Sequence, residues 1–256
     1  MTFSKILTKP VVITFLIVYF LYLVVSRAPA EIAASAIHSA VPHVWLTGVE
    51  GTLWNGVANG SQLDMGKDVL PLGRVTWQLS GWSLLLLRPC IKFATDGGAL
   101  MASGNVCQGV AGVTGLTDVS VDAPVSSLSE LLQLPISGQG SVQIISAELK
   151  GTDVQKLDAR LSWQKGSVNP ENTGWVNVGS YGANLKENGS GGVSASIFDI
   201  AAPVKAELEA DITFSGWTIE GKVEPQANAP EILAGGVQLI GEEVEPGIYH
   251  IVWSSN

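Results

Sequence analysis

Cys90 and Cys107 are the side chains of this sequence best placed for covalent chemistry. They flank Asp96-Gly97-Gly98, and folding that segment on a four-residue loop, Gly97 to Leu100, sets one cysteine opposite the other. In an oxidising compartment such a pair forms a disulfide. Closing a loop this short stabilises the fold by about 3 kcal/mol in the chain-entropy model. The alternative is a pair of unpaired buried thiols. Zinc is disfavoured, because no further Cys or His lies near either one in sequence. His38, His43 and His250 lack zinc spacing such as HExxH and read as surface or packed imidazoles. No G-x-S-x-G elbow, P-loop or G-x-G-x-x-G occurs. Glu242, Glu243 and Glu245 form a tight acidic cluster, read as a solvated turn. Carboxylate pairs for hydrolysis assemble in space rather than in sequence. The motif pattern therefore counts against an enzyme and nominates no catalytic residue, metal ligand or cofactor.

The elements that must position these residues start from an unusual composition. The chain has 256 residues, of which 46% are hydrophobic and only 14% charged, against roughly 25% charged in ordinary soluble domains. Eight Trp and this apolar content exclude wholesale disorder. Net charge is −9 with no cluster of Lys and Arg, which excludes a nucleic-acid partner.

A stretch without charge runs from Pro10 to Ser26 and is apolar almost throughout. As a helix its 17 residues reach about 25 Å, slightly short of a ~30 Å hydrocarbon core. Lys9 and Arg27 can snorkel outward to cover the difference. Two readings fit: an uncleaved signal anchor over residues 10–27, or a signal peptide cleaved near Ala28-Pro29-Ala30. The length of the apolar run and the position of Arg27 favour the anchor. Lys5 and Lys9 precede the span, and after Arg27 no Lys or Arg occurs until Lys67. The positive-inside rule then puts residues 1–9 in the cytoplasm and 28–256 outside it. Residues 1–27 hold three cations and no acid, so the outer part carries −12. Such a domain is poorly suited to resting on anionic headgroups.

The outer part reads as α+β, predominantly antiparallel β. Val204, Ala206, Leu208, Ala210, Ile212 and Phe214 alternate with Lys205, Glu207, Glu209, Asp211 and Thr213, the period of a strand with one wet face. Ser215-Gly216 then predicts a two-residue hairpin loop. That loop sets Phe214 opposite Trp217, Ile212 opposite Ile219 and Glu209 opposite Lys222. Similar alternation runs through 74–79, 157–164 and 248–253. Asn55-Gly56, Asn59-Gly60, Asp96-Gly97 and Asn188-Gly189 are turn signals, and Lys186 to Gly192 is the best loop or boundary. Trp77, Trp163, Trp217 and Trp253 fall on apolar strand faces and read as core. Trp45, Trp54, Trp82 and Trp175 stand in less regular sequence and are candidates for exposure.

Helical signals are few and short. One stripe, Ile32, Ala33, Ala36, Ile37, Ala40 and Val41, stops at Pro42. A capping box, Ser127 to Glu130, precedes Leu131, Leu132 and Leu134 and ends at Pro135. Pro230 opens a third helix through Leu233, which Gly235-Gly236 weakens. Each follows an Ala-Pro step, at 28–29, 123–124 and 229–230, and each is followed by Gly and a strand-like run. This fits either an irregular internal repeat or three ordinary helices in one domain.

One segment carries a family resemblance. Val44 to Ala58 resembles the G-x-x-G-T-L-W-x-G-x-A signature of the type II secretion system protein N family, through Gly48, Gly51, Thr52, Leu53, Trp54, Gly56 and Ala58. An Ala-rich helix behind the span, Pro71-Leu72 before Val75-Thr76-Trp77-Gln78-Leu79, and a terminal Gly247-Ile-Tyr-His-Ile-Val-Trp253 extend the likeness. The resemblance implies a single-pass protein of the bacterial inner membrane. Its periplasmic domain would serve the machinery that exports folded proteins across the outer membrane. It implies no enzymatic activity, and as partners it implies other components of that machinery, in the inner-membrane platform or pseudopilus, beside inner-membrane lipid. It also implies a likeness to AsmA-like envelope proteins, whose curved β-sheets hold an apolar groove and so an apolar ligand. Gly51 and Gly56 suit a bend or close approach around a packed Trp, so the signature reads as structural.

Overall fold

The computed structural model describes residues 3–66, 69–109, 111–129, 135–170 and 174–255, and within these the side chains of 3–10, 21 and 128 are left aside. Among the described residues the chain opens with helix α1 (Phe3–Ser26) and helix α2 (Ala30–Ala40). Strands follow: β1 (Val44–Trp45), β2 (Val49–Gly51), β3 (Asn55–Asp64) and β4 (Val69–Leu79). A short helix α3 (Gly81–Leu85) leads to β5 (Cys90–Gly97), β6 (Met101–Gln108) and β7 (Val113–Pro124). A 3₁₀ turn (Val125–Leu128) precedes β8 (Ile136–Lys150), β9 (Asp153–Val168), β10 (Val176–Glu187) and β11 (Val193–Ala201). The chain continues through β12 (Val204–Thr213), β13 (Gly216–Pro225), helix α4 (Glu231–Ile240), β14 (Glu242–Glu245) and β15 (Ile248–Ser254).

All these strands join one antiparallel sheet. From β3 to β13 each strand pairs with the next in sequence, as alternating sequence broken by turn residues demands. At one edge β1 and β2 both pair with β3, and at the other β15 lies between β13 and β14. The core is divided. Near one end α2 brings Ala30 and Ala33 onto Ala58 and Trp77, with Leu46, Val49, Leu53 and Ile91 around them. Near the other, Val237 of α4 joins Val204, Ala206, Val223 and Ile251, with Leu233, Leu208, Tyr181 and Tyr249 packed against them.

The predominantly antiparallel β architecture with few short helices is as expected, and several local expectations are corrected. The hairpin of β12 and β13 turns at Phe214-Ser215, two residues of register away from a loop at Ser215-Gly216. Ile212 faces Trp217, Glu207 faces Lys222 and Lys205 faces Glu224, the last pair in an ion pair of 3.2 Å. The expected register would set Glu207 against Glu224 and Asp211 against Glu220. The observed one keeps a single like-charge pair, Glu209 and Glu220, and Ser196 donates a hydrogen bond to Glu209. Cross-strand charge thus selects the register that keeps the same faces. Phe214 is left at the tip, 96% exposed. Trp217 and Trp253 are exposed rather than core. Helix α4 is about 15 Å long, against about 33 Å for β12, so it covers only part of the face they share.

Helix α4 also runs unbroken through Gly235-Gly236, because Leu233 and Val237 on either side are packed on the sheet. Asn59-Gly60 is an irregularity inside β3, not a turn between strands. Glu242, Glu243 and Glu245 form an exposed edge strand instead of a turn, and charge there blunts the sheet edge against unwanted pairing. Pro29, Pro124 and Pro230 each stand at the start of a helical turn with similar extended backbone. Residues 130–134 of the expected second helix lie outside the described residues. The segment 188–192 is a loop inside the continuous sheet, not a domain boundary.

At the N-terminus, α1 has the helical conformation expected of a span, and the apolar side chains described along 11–25 are exposed except for the half-buried Leu23. Among the described residues no helix is long and apolar enough to cross a membrane. Lys5 and Lys9 have side chains outside the described set.

Candidate functional site

The signature residues form the β2–β3 hairpin turn and tie the helices to the sheet. Gly51 takes a positive φ of 97° to enter the turn, and Thr52 N–H donates to Asn55 O at 2.9 Å. Thr52 bridges to Pro29, and Leu53 N–H donates to Ala28 O at 2.8 Å. Trp54 Nε1 donates to the carbonyl of Val25, the last turn of α1, at 2.8 Å. Its own carbonyl accepts from Leu79 N–H at the end of β4. A Cβ on Gly56 would stand 2.2 Å from the Trp77 ring, so only glycine admits the indole. Trp77 is 2% exposed and donates through Nε1 to Leu53 O at 3.3 Å. The close approach inferred from the sequence is therefore real, and the packed indole is that of Trp77 on β4 rather than Trp54. One short turn contacts α1, the start of α2 and two strands.

The cysteines come together as the spacing requires. Cys90 on β5 faces Cys107 on β6, and the two are joined in a disulfide. His38 Nδ1 lies 3.1 Å from Val44 O, and its ring packs on Trp45. His250 lies opposite Lys222 and Glu242 in the sheet. Among the described residues no group of three or more His, Cys, Asp or Glu is placed to hold a metal.

An apolar hollow of about 740 Å³ lies in the middle of the sheet. Its lining reaches from Leu70 on β4 through Val121, Leu161, Trp163 and Tyr181 to Ile197 on β11. On a flat sheet β4 and β11 would stand about 34 Å apart. A single hollow touching both requires the sheet to coil around it. The bending devices are visible: the ladder shifts register at Ser137/Gln139 in β8 and on both sides of Gly179 in β10. Bulges bend and twist a strand. Gly179 has φ 89°, and a Cβ there would meet Ala201 O at 2.5 Å. Trp163 sits at the bend and donates through Nε1 to Ser137 O at 3.0 Å. The 3₁₀ turn contributes Val125 and Ser127 to the rim.

Tyr181 links the hollow to the C-terminal core. Its hydroxyl donates to Val204 O at 2.9 Å. Burial, and next the charge of Asp199, push its pKa up to about 12, so the phenol stays a neutral donor. Sequence reasoning did not single out Tyr181, Gly179 or the lining set. The lining comes from six strands, and its signals in the sequence were Leu161 and Trp163 on one apolar face and Ser127 in the capping box.

The fold is thus that of a single-sheet β protein with an apolar hollow and a stiff turn joining it to an N-terminal helix. A family model described as type II secretion system (T2SS), protein N, matches residues 42–252, which include the signature turn, the disulfide and the hollow. The chain belongs to that family and is a component of type II secretion. No curated protein and no solved structure matches it, so the expected likeness to AsmA-like proteins finds no support.

Proposed function

We propose that this protein is a non-enzymatic, single-pass component of the inner membrane that contributes to export of folded proteins across the outer membrane. The family match over residues 42–252 carries the reading. Residues 1–9 lie in the cytoplasm, residues 10–27 form the anchor, and residues 28–256 form the periplasmic domain. The exposed apolar side chains of α1 support the anchor, as does the absence of charge from Pro10 to Ser26. The disulfide suits an oxidising compartment. The partners are other secretion components, in the inner-membrane platform or pseudopilus. Crosslinking in vivo from exposed positions of β12 and β13, such as Glu207 and Glu220, is expected to capture such a component. Normal export in a deletion strain lacking any paralogue would overturn the reading.

The hollow favours a second role, binding of lipid or another apolar ligand. Its walls are almost wholly apolar and it remains open, a form typical of small-molecule sites. Native mass spectrometry of the gently extracted protein is expected to show bound lipid; an unliganded mass in every preparation counts against it.

A further inference from the structure

The connection between β4 and β5 displays four large apolar side chains to solvent. Trp82 is 80% exposed, Leu85 75%, Leu86 78% and Leu87 65%. Helix α3 and the turn after it, which carry them, are tied down by hydrogen bonds. Ser83 Oγ donates to Ser80 O at 2.6 Å and accepts from Cys90 N–H at 2.9 Å. Ser83 O accepts from Arg88 N–H at 2.9 Å, and Ser80 N–H donates to Cys90 O at 3.0 Å. Leu87 turns the chain with φ 55°. The disulfide fastens the base of the loop to β6. A clustered apolar knob of this kind is costly in water and marks a contact surface.

Its position says what covers it. Trp54 Nε1 is 2.8 Å from the carbonyl of Val25 at the end of α1, and the far side of the same indole lies 3.7 Å from the Cβ position of Gly81. One indole therefore separates the end of α1 from the start of the knob. The start of the knob at Gly81 stands one indole away from the place where the chain leaves α1. Between Ser80 and Pro89 the only charged residue is Arg88, so no acid has to be desolvated or set against anionic headgroups.

We propose that the knob of Trp82, Leu85, Leu86 and Leu87 inserts into the headgroup–acyl boundary of the same bilayer that α1 enters. The contact rests on the anchor reading above and adds a second attachment point, which orients the sheet on the membrane. Indole and leucine at the end of a span suit that boundary. The contact segment holds no acid between Ser80 and Pro89, so the acidity of the outer domain is not concentrated at the knob, and insertion of a few apolar side chains relies on the hydrophobic effect rather than on headgroup charge.

The test uses the full chain reconstituted into phosphatidylethanolamine–phosphatidylglycerol vesicles whose acyl chains are brominated near the headgroup. Carbonate washing is expected to leave the protein in the vesicles. Trp82→Phe is expected to remove a distinct share of the lipid-quenched tryptophan emission, and Trp253→Phe, at the far end of the strand order, to remove none. Leu85→Ser with Leu86→Ser, both exposed, is expected to lower quenching while every indole is retained. Retention in carbonate with quenching unchanged in Trp82→Phe overturns the knob contact and leaves the anchor standing. Release by carbonate overturns both. If Trp82 is shielded from aqueous acrylamide only when other secretion components are co-reconstituted, and never quenched by lipid, the face belongs to a protein and the inference fails.

Discussion

Near each end of the strand order a helix lies on the sheet, whereas the middle has only the 3₁₀ turn at Val125–Leu128 among the described residues. The C-terminal end and the middle share one inner face, since Ile197 of the hollow lies opposite Leu208, which packs on the C-terminal core. Where α4 covers that face, Val204, Ala206, Val223 and Ile251 are buried; where it does not, apolar residues of similar kind line a hollow. Apolar alternation along a strand therefore produces core or binding surface according to what lies above it. The ends bury apolar surface beneath helices, and the middle leaves part of its apolar surface lining the hollow.

Four substitutions sharpen that division, each read from urea unfolding of the detergent-solubilised full chain. Trp77→Ala should cost about 3–5 kcal/mol, since the indole fills the space that Gly56 and the alanines of α2 leave. Ile251→Ala should cost about 2–4 kcal/mol at the other covered end. Tyr181→Phe, at the seam, should cost about 1 kcal/mol by leaving Val204 O without its donor. The folded pKa of Tyr181 is raised, so its contribution is full below pH 10 and fades as pH rises towards about 12. An alkaline unfolding profile of the Phe variant should lack that loss. Leu161→Ala, in the open middle, should cost under about 1 kcal/mol yet weaken uptake of an apolar fluorescent probe. If Leu161→Ala destabilises as much as Ile251→Ala, the middle is core and the comparison fails.

Much of the fold was legible residue by residue. The turn at Asp96-Gly97 and the spacing of Cys90 and Cys107 were enough to pair them, because a short hairpin leaves few registers. The β12–β13 hairpin was legible in its faces but not in its register. Two adjacent turn choices keep the same alternation, and the sum of charge pairs across ten residues per strand decided between them. The helix through Gly235-Gly236 and the exposure of Trp217 and Trp253 were not legible, since each depends on where α4 lies.

The sequence by itself determined the apolar N-terminal stretch, the antiparallel strand character, the cysteine pair and the family, because these depend on local period, spacing and a contiguous motif. Only the tertiary structure decided that Trp77 fills the space over Gly56, that the sheet coils around a hollow, and that the Trp54 indole stands between the end of α1 and Gly81. Those facts join residues far apart along the chain. Whether an apolar side chain is covered is set by distant elements that fold over it, and no period within a single strand records that.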